Sequence, residues 1–138
     1  MPADDELALV GEYPRRSSVK PRIDDTEFGS ITISGKVHEH DVLVRLDGGV
    51  KKRKKKLSKA KYGTSHKVSL EEAKHIFDAG ASRLIVGAGQ NGLVELSEEA
   101  ADYFRRKGCA VELLPTPRAA EAWNSAHGAV IGMFHVTC

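Results

Sequence analysis

The chain has 138 residues, with 21 Lys and Arg against 19 Asp and Glu, 41% hydrophobic residues and 2 Cys. This length suits one compact domain with its own core, since domains typically run to roughly 100–150 residues. The composition excludes a wholly disordered chain and a disulfide scaffold, and no apolar run approaches the roughly 18 residues of a membrane span. The acidic start lacks the pattern of a secretory signal, so the expected location is the cytoplasm.

The formal net charge of +2 conceals a strongly basic tract between Lys51 and Lys61, which leaves 13 basic against 19 acidic residues elsewhere. Such a tract can contact phosphates or an acidic partner, and lysines also keep a sheet edge from pairing with other chains. Because only Tyr62 is aromatic there, base stacking is poorly supported, and a solvated edge is favoured over nucleic-acid or acidic-partner contact. The residues that such contact would use are Lys51, Lys52, Arg53, Lys54, Lys55 and Lys56.

The chain divides into a short lead and one domain. Residues 1–22 show no clear periodicity and contain three prolines, which predicts a weakly ordered N-terminal lead. A single α/β domain is predicted at 23–138. No internal repeat of solenoid length interrupts it.

The first half of the domain shows the patterns of strands and hairpins. Apolar and polar residues alternate over 31–37, which predicts a half-buried strand, and a second strand is predicted at 42–46. The run Asp47-Gly48-Gly49 supplies the positive-φ residues of a tight hairpin. The basic tract is expected to begin as a third strand and to continue as a loop that ends at Gly63.

Three helices are predicted in the second half, each from a start signal. Ser69 with Glu72 forms a capping box, and Ser97 precedes two glutamates. Thr116 is interpreted as a helix cap followed by Pro117. Short apolar runs that suit covered strands lie at 83–86, 110–114 and 129–136. This alternation predicts an α/β (α+β) fold of three layers: a mixed central β-sheet, helices on one side, and a hairpin plus a helix on the other.

Short motifs throughout the domain resemble those of a known family. They are Phe28-Gly29-Ser30-Ile31, Gly63-Thr64-Ser65-His66, Gly87-Ala88-Gly89-Gln90-Asn91-Gly92, Thr116-Pro117-Arg118-Ala119 with Asn124, and Phe134-His135-Val136-Thr137-Cys138. This set, in this order, resembles small archaeal and bacterial proteins of unknown function. The same family includes an adipogenesis-associated cytosolic protein and a mitochondrial assembly factor for respiratory complex I.

The resemblance covers 23–138 and implies a three-layer α/β fold with a mixed central sheet. It implies no established reaction, cofactor or catalytic residue. The long basic tract departs from the animal members, and the sequence shows no mitochondrial transit pattern. The complex I role is therefore not transferred to this chain.

The segment from Gly87 to Gly92 matches a GxGxxG pattern after an apolar strand. Amides of such a turn can hold a phosphate, but a dinucleotide site needs a helix to open at the third glycine. Here four residues intervene before Ser97. Turn geometry alone is therefore favoured, a small-anion pocket comes second, and a dinucleotide site last.

The histidines and cysteines predict no metal site, because no Cys-x-x-Cys or His-x-x-x-His pair exists, and no cofactor is predicted. His135 has apolar neighbours on a predicted core strand and is interpreted as a buried histidine with satisfied partners. Ser65 and His66 are adjacent on an extended segment and point to opposite faces, so they are poorly placed as nucleophile and base. A role in tying down the loop is favoured for both.

The polar residues of these motifs fall at predicted loop and strand ends, where a three-layer fold would bring them to one pocket. The candidate pocket residues are Ser65, His66, Gly87, Gly89, Gln90, Asn91, Thr116, Asn124 and His135. Because no coherent nucleophile, acid–base pair or metal cage emerges, the leading hypothesis is a non-enzymatic binding or assembly-accessory module with a protein partner. The alternatives are an enzyme or sensor that binds a small anion at the glycine turn, and contact of the basic tract with nucleic acid or an acidic partner.

Overall fold

A computed structural model describes residues 20–138, which form ten strands and four helices. The strands are β1 Ile23–Glu27, β2 Ser30–Ile33, β3 Lys36–His38, β4 Val42–Val44, β5 Val50–Lys52, β6 Lys67–Val68, β7 Arg83–Ala88, β8 Glu95–Leu96, β9 Ala110–Leu114 and β10 Val130–His135. The helices are α1 Lys56–Tyr62, α2 Leu70–Ile76, α3 Glu98–Arg106 and α4 Thr116–Ser125. The predicted lead at 1–22 lies outside the described residues except for its last three. No helix in the described range is long and apolar enough to cross a lipid bilayer.

The centre of the fold is a five-stranded sheet of order β5-β4-β10-β7-β9. Strand β7 runs parallel to β9 and β10, whereas β4 is antiparallel to both β10 and β5. All six residues of β10 and five of the six in β7 are buried, as expected for apolar strands covered on both faces. The predicted mixed central sheet is confirmed.

Two apolar layers cover the two faces of this sheet. Helices α2 and α3 pack on one face, where Ile76 and Phe104 are buried in the same cluster as strand residues of β7 and β10. Helix α4 and the β1–β2 hairpin pack on the other, where Ile31 and Trp123 are buried. The Trp123 ring meets Phe134 edge to face, with 5.9 Å between ring centroids. The predicted arrangement of helices on one side and hairpin plus helix on the other is confirmed.

The predicted strand at 31–37 is in fact two strands joined by a tight turn. Ser34 and Gly35 have φ values of 47° and 82°, so the chain reverses there and β2 pairs antiparallel with β3. Two successive positive φ values are typical of the short hairpin turns that match the twist of the strands. Strand β1 pairs with β2 and was not predicted, because most of its residues are polar and exposed.

The second part of the basic tract is helix α1 rather than the predicted loop. Lysine is a good helix former, and Ser58 is buried beneath the helix, which fixes it to the domain. The predicted end at Gly63 is right: this residue has a φ of 74°, and its amide donates to the Lys59 carbonyl at 2.8 Å.

The predicted starts of the next two helices are confirmed, and that of α4 is shifted by one residue. The Ser69 hydroxyl accepts from the Glu72 amide at 3.1 Å, and the Ser97 hydroxyl accepts from the Ala100 amide at 3.1 Å. Thr116 is the first residue of α4 instead of its cap. Its hydroxyl is used elsewhere, as described below.

Candidate functional site

A row of buried polar residues crosses three neighbouring strands at one end of the central sheet. The register of β10, β4 and β5 sets His135, Asp41 and Arg53 side by side. The Arg53 amide donates to the Asp41 carbonyl at 3.0 Å, which continues the strand pairing by one residue. This end also holds the carboxyl ends of the parallel strands β7, β9 and β10, the place where ligands of open α/β sheets most often bind.

The guanidinium of Arg53 is fully buried, and each of its three nitrogens donates a hydrogen bond. Its Nε and Nη2 donate to the two carboxylate oxygens of Glu72 at 2.6 and 3.0 Å, and Nη1 donates to Asp41 Oδ2 at 2.9 Å. Nη2 also donates to the Ser65 carbonyl at 2.7 Å. Two carboxylates therefore neutralise this one cation, and breaking such a buried arrangement typically costs about 3–5 kcal/mol.

The capping box predicted for α2 is only half formed, because Glu72 turns away from the helix start. Its side chain binds Arg53 and also accepts from the Ser58 hydroxyl. The Ser58 hydroxyl oxygen in turn accepts from the Ser69 amide at 2.9 Å, the bond that a capping-box glutamate would have made. Helix α1, helix α2 and the end of β5 are thus held together by one buried polar cluster.

The charges in this cluster shift two pKa values in the direction that keeps both groups ionised. Burial by itself raises the pKa of Asp41, but hydrogen bonds from His135 and the Val136 amide, together with the charges of His135 and Arg53, lower it to about 2. Burial alone lowers the pKa of Arg53, whereas Glu72 and Asp41 raise it more, so the net direction is upward. Asp41 and Arg53 are therefore both ionised at neutral pH.

The prediction that His135 is a buried histidine with satisfied partners is confirmed. Its Nδ1 lies 2.7 Å from Asp41 Oδ2, and its Nε2 lies 3.1 Å from the Thr137 hydroxyl. An ionised carboxylate can only accept, so Nδ1 carries the hydrogen. In the neutral ring Nε2 then accepts from the Thr137 hydroxyl.

Most of the predicted pocket residues gather around His135. The His66 ring meets the His135 ring edge to face at 5.4 Å between centroids. Ser65 precedes His66 in the chain, and its carbonyl accepts from the Arg53 guanidinium. The backbone amide of Gln90 donates to the Thr137 carbonyl at 2.7 Å. The amide nitrogen Nε2 of Gln90 is enclosed and has no partner among the described residues.

Two other predicted residues serve the packing of this end of the sheet. The Thr116 hydroxyl donates to the His135 carbonyl at 2.7 Å and accepts from the Gly89 amide at 2.9 Å, so it is a buried cross-link between strands. A Cβ added to Gly87 would lie 2.8 Å from the Phe134 ring and 3.0 Å from the Thr116 hydroxyl. Glycine is required there because of that close approach.

Asn124 does not belong to this group, so its place in the predicted pocket is wrong. It lies eight positions after Thr116 on α4, which is about 12 Å along the helix axis. Its side chain accepts from the Ile23 amide at 2.9 Å and donates to the Ile23 carbonyl at 2.8 Å. Asn124 therefore fixes the start of β1 to α4. Asn91 is exposed on the glycine turn beside Gln90.

The glycine turn of 87–92 uses its backbone donors internally. The amides of residues 89, 90, 92, 93 and 94 all donate to protein oxygens, at 2.7 to 3.4 Å. Gly89 has a φ of 97°, and a Cβ there would overlap the backbone carbonyl of Cys138. The turn is packed against the end of the chain and lacks the row of free amides that a phosphate cradle requires. This geometry does not favour the small-anion hypothesis.

Five lysines line a cavity of about 440 Å³ beside the buried row. We call these five residues the lysine surface. They are Lys52, Lys54, Lys55, Lys56 and Lys59. Within residues 20–138, none of them has a carboxylate within 4.0 Å. Lys51 is exposed next to them on β5. Arg53 also borders this cavity, but its guanidinium is buried in ion pairs, so its predicted use in partner contact is wrong.

A second cavity, of about 230 Å³, lies between the lysine surface and the end of β10. Its lining includes Lys52 and Lys55 together with Glu39, Asp41 and Thr137. Over the described part of the chain, no three His, Cys, Asp or Glu side chains are grouped so that they could hold a metal ion.

Comparison with known proteins gives the family. A family model described as "protein of unknown function (DUF498/DUF598)" matches residues 23–134. The chain belongs to this family. The match confirms the resemblance found in the sequence motifs, and the family description states no activity.

Solved structures of similar proteins agree with this fold. A conserved hypothetical protein from Pyrococcus horikoshii is 31% identical, with a TM-score of 0.77 over 85% of this chain and 99% of that one. A protein named MT938 is 34% identical, with a TM-score of 0.72 over 86% of this chain and 100% of the other. A protein from Bordetella parapertussis is 18% identical, with a TM-score of 0.65 over 85% and 96% of the two chains, and shows the fold alone.

Proposed function

We propose that this member of the family is a binding module that holds an acidic segment of a partner protein on the lysine surface. One observation carries this proposal. The five lysines border a single concave surface, and in the described range no carboxylate lies within 4.0 Å of any of them. A row of partner carboxylates would reduce the repulsion among these ammonium groups and place charges of opposite sign across the interface.

The buried ionic cluster supports the proposal because it fixes the backbone that presents the lysines. Arg53 lies between Lys52 and Lys54 and is bonded to Asp41 and Glu72. Ser58 anchors α1 through Glu72 in the same way. The lysines therefore project from a rigid frame, and a partner does not have to order this part of the backbone on binding.

An acidic protein segment fits this surface better than nucleic acid does. Among residues 20–138, no aromatic side chain borders the cavity, and Tyr62 at the end of α1 is half-buried with the Lys67 ammonium 5.0 Å from its ring centroid. Stacking on bases therefore has no platform there. Helix α1 has seven residues and is about 10 Å long, which suits a short peptide more than a duplex.

We also propose that the protein works in the cytoplasm. Cys109 is buried and Cys138 is half-buried, and neither forms a disulfide. Free thiols are typical of a reducing compartment, and this supports the location expected from the sequence. Localisation of the full-length tagged protein by fractionation would test it, and recovery in a secreted or periplasmic fraction would contradict it.

The binding proposal is tested with a fluorescent oligoglutamate peptide and fluorescence anisotropy. The triple variant Lys54→Gln/Lys56→Gln/Lys59→Gln is compared with a matched triple of exposed lysines elsewhere, Lys36→Gln/Lys74→Gln/Lys107→Gln. Both variants change the formal net charge from +2 to −1, so they differ only in where the charge is lost. We expect the first to weaken binding about tenfold, since each exposed ion pair contributes roughly 0.2–1 kcal/mol.

The control triple should stay within about twofold of the unmodified protein, and binding should weaken as ionic strength rises from about 0.05 M to about 0.3 M. Equal losses in the two triples would contradict a specific lysine surface. A DNA oligonucleotide is measured in the same assay. If it binds more tightly than oligoglutamate, and if the first triple variant loses that binding, the ligand of this surface is nucleic acid and not an acidic protein segment.

A further inference from the structure

Hydrogen bonds join the Asp41 carboxylate, the His135 imidazole and the Thr137 hydroxyl in series. The two end residues, Asp41 and Thr137, border the 230 Å³ cavity, and His135 is buried between them. Asp41 Oδ2 lies 2.7 Å from His135 Nδ1, and His135 Nε2 lies 3.1 Å from Thr137 Oγ1. Nucleophilic enzymes use this order of groups, in which an acid orients a histidine that takes a proton from a hydroxyl.

The environment of each of the three groups suits its role in this hydrogen-bonded series. Asp41 is buried and held by Arg53 and the Val136 amide, so it cannot turn away from the imidazole. The His135 ring is buried and has the His66 ring against it. Thr137 is only half-buried and borders the cavity, so a molecule placed there lies against this residue.

The same cavity predicts which molecules could be placed there. Its charged lining consists of Glu39, Asp41, Lys52, Arg53 and Lys55. Since Asp41 is paired with Arg53, the two lysines outnumber the one other carboxylate, Glu39, and favour a ligand that carries negative charge. Its volume is below the roughly 300–1,000 Å³ of pockets for drug-sized ligands, so it suits a short acyl group. The two ammonium groups would also stabilise negative charge that develops on a carbonyl oxygen.

From this geometry we infer that Thr137 is a nucleophile for acyl transfer from small anionic esters, with His135 as its general base and Asp41 as a positioning residue. The inference goes beyond the proposed peptide binding and does not rest on it. The strand register, which places Asp41 beside His135, supplies the carboxylate of this arrangement.

The reaction balances without a metal or a redox partner. An oxygen lone pair of Thr137 forms a bond to the acyl carbon while His135 Nε2 takes the hydroxyl proton. The bond from the acyl carbon to the leaving alcohol breaks, and the leaving oxygen takes the proton from His135. Water then adds to the acyl-threonine with His135 again as base, the Thr137 ester bond breaks, and the hydroxyl is regenerated. The products are a carboxylic acid and an alcohol.

The test uses two acetylating esters that transfer the same acyl group. N-hydroxysuccinimidyl acetate is neutral and sulfosuccinimidyl acetate is anionic. Lysines form amides with both, but a threonine ester is removed by hydroxylamine, so peptide mapping before and after hydroxylamine treatment identifies acetylated hydroxyls. Samples are quenched in acid before the acyl-threonine is hydrolysed. In the unmodified protein we expect Thr137 to be acetylated at least about a hundredfold faster than Thr32, a half-buried threonine on β2 that has no histidine partner within residues 20–138.

Variants separate this chemistry from a purely structural role. Thr137→Ser keeps a hydroxyl and should keep the hydroxylamine-sensitive adduct, whereas Thr137→Val should lose it and leave oligoglutamate binding unchanged. Lys52→Gln should reduce the preference for the anionic ester, and the exposed control Lys36→Gln should not. Acetylation of Thr137 no faster than that of Thr32 in the unmodified protein would overturn the inference, even if every variant folds.

Discussion

Arg53 and the lysines beside it belong to one basic tract but have opposite roles in the structure. The Arg53 guanidinium is fully buried between Asp41 and Glu72, whereas Lys52 and Lys54 are exposed and have no carboxylate partner within the described residues. The difference follows from strand register, because Arg53 lies opposite Asp41 at the end of β4. Position relative to the sheet, rather than charge density along the chain, separates the residue that stabilises the fold from those available to a partner.

The largest expected effect comes from removing the buried cation. Arg53→Met should lower the free energy of unfolding by about 3–5 kcal/mol, because two buried carboxylates lose their partner. Lys52→Met, one residue away and exposed, should change it by no more than about 0.5 kcal/mol. Urea denaturation of the two variants measures both values. Similar costs for the two substitutions would contradict the difference between these neighbours.

Acidification should remove part of the same stabilisation. The pKa of Asp41 is lowered from 3.8 to about 2 in the folded protein, so its contribution is complete above about pH 4 and is lost as the pH falls through about 2. The loss should be about 2 kcal/mol, since one pKa unit corresponds to about 1.4 kcal/mol. Denaturation between these pH values measures it. Asp41→Asn should lack this part of the pH dependence, and Asp47→Asn, at an exposed turn, should retain it.

A comparable or smaller effect is expected from the hydroxyl that joins α1 to the cluster. Ser58→Ala removes a donor to Glu72 and the acceptor of the Ser69 amide, so it should cost about 1–3 kcal/mol. Ser125→Ala, at the exposed end of α4, should be nearly neutral. Thermal denaturation of the two variants compares them. If Ser58→Ala is also neutral, α1 is not anchored through this cluster.

The smallest effect on stability is expected from the lysine surface itself. The triple variant Lys54→Gln/Lys56→Gln/Lys59→Gln should change the free energy of unfolding by about 0.5 kcal/mol or less, and the change should be stabilising at low ionic strength. Repulsion among these lysines is weakly screened there, because the Debye length is about 30 Å at 0.01 M salt and about 8 Å at 0.15 M. Denaturation at both ionic strengths checks the sign. A large destabilisation would mean that the lysines support the fold.

Much of the fold could be predicted from local patterns. The apolar runs that became β7, β9 and β10, and the serines that begin α2 and α3, carry their own signals, because strand burial and helix capping depend on nearby residues. Helix α1 could not be predicted in this way. Its only buried side chain is that of Ser58, and its attachment depends on Glu72, fourteen residues later.

The candidate site was predicted only in part, for a related reason. His66, Gln90 and His135 lie at strand ends and were expected to meet. Asp41 and Arg53 were assigned to a polar turn and to a charged surface, because nothing local shows that they pair with distant groups. The register of the β4–β5 hairpin is the signal from which this pairing could have been predicted. The last strand pair is Val42 with Lys52, so the next residues outward, Asp41 and Arg53, lie opposite each other. That register becomes evident only when the turn is placed at residues 45–49.

The measurement that tests the central claim most directly is an NMR titration of the uniformly ¹⁵N-labelled protein with oligoglutamate. We predict amide shift changes concentrated over β5 and α1, with their largest values at the lysine surface, and no loss of these changes in the Lys36→Gln/Lys74→Gln/Lys107→Gln variant. Shift changes centred on the glycine turn at 87–92, or spread evenly over the exposed lysines, would contradict the claim that the basic tract forms one open binding surface around a single buried arginine.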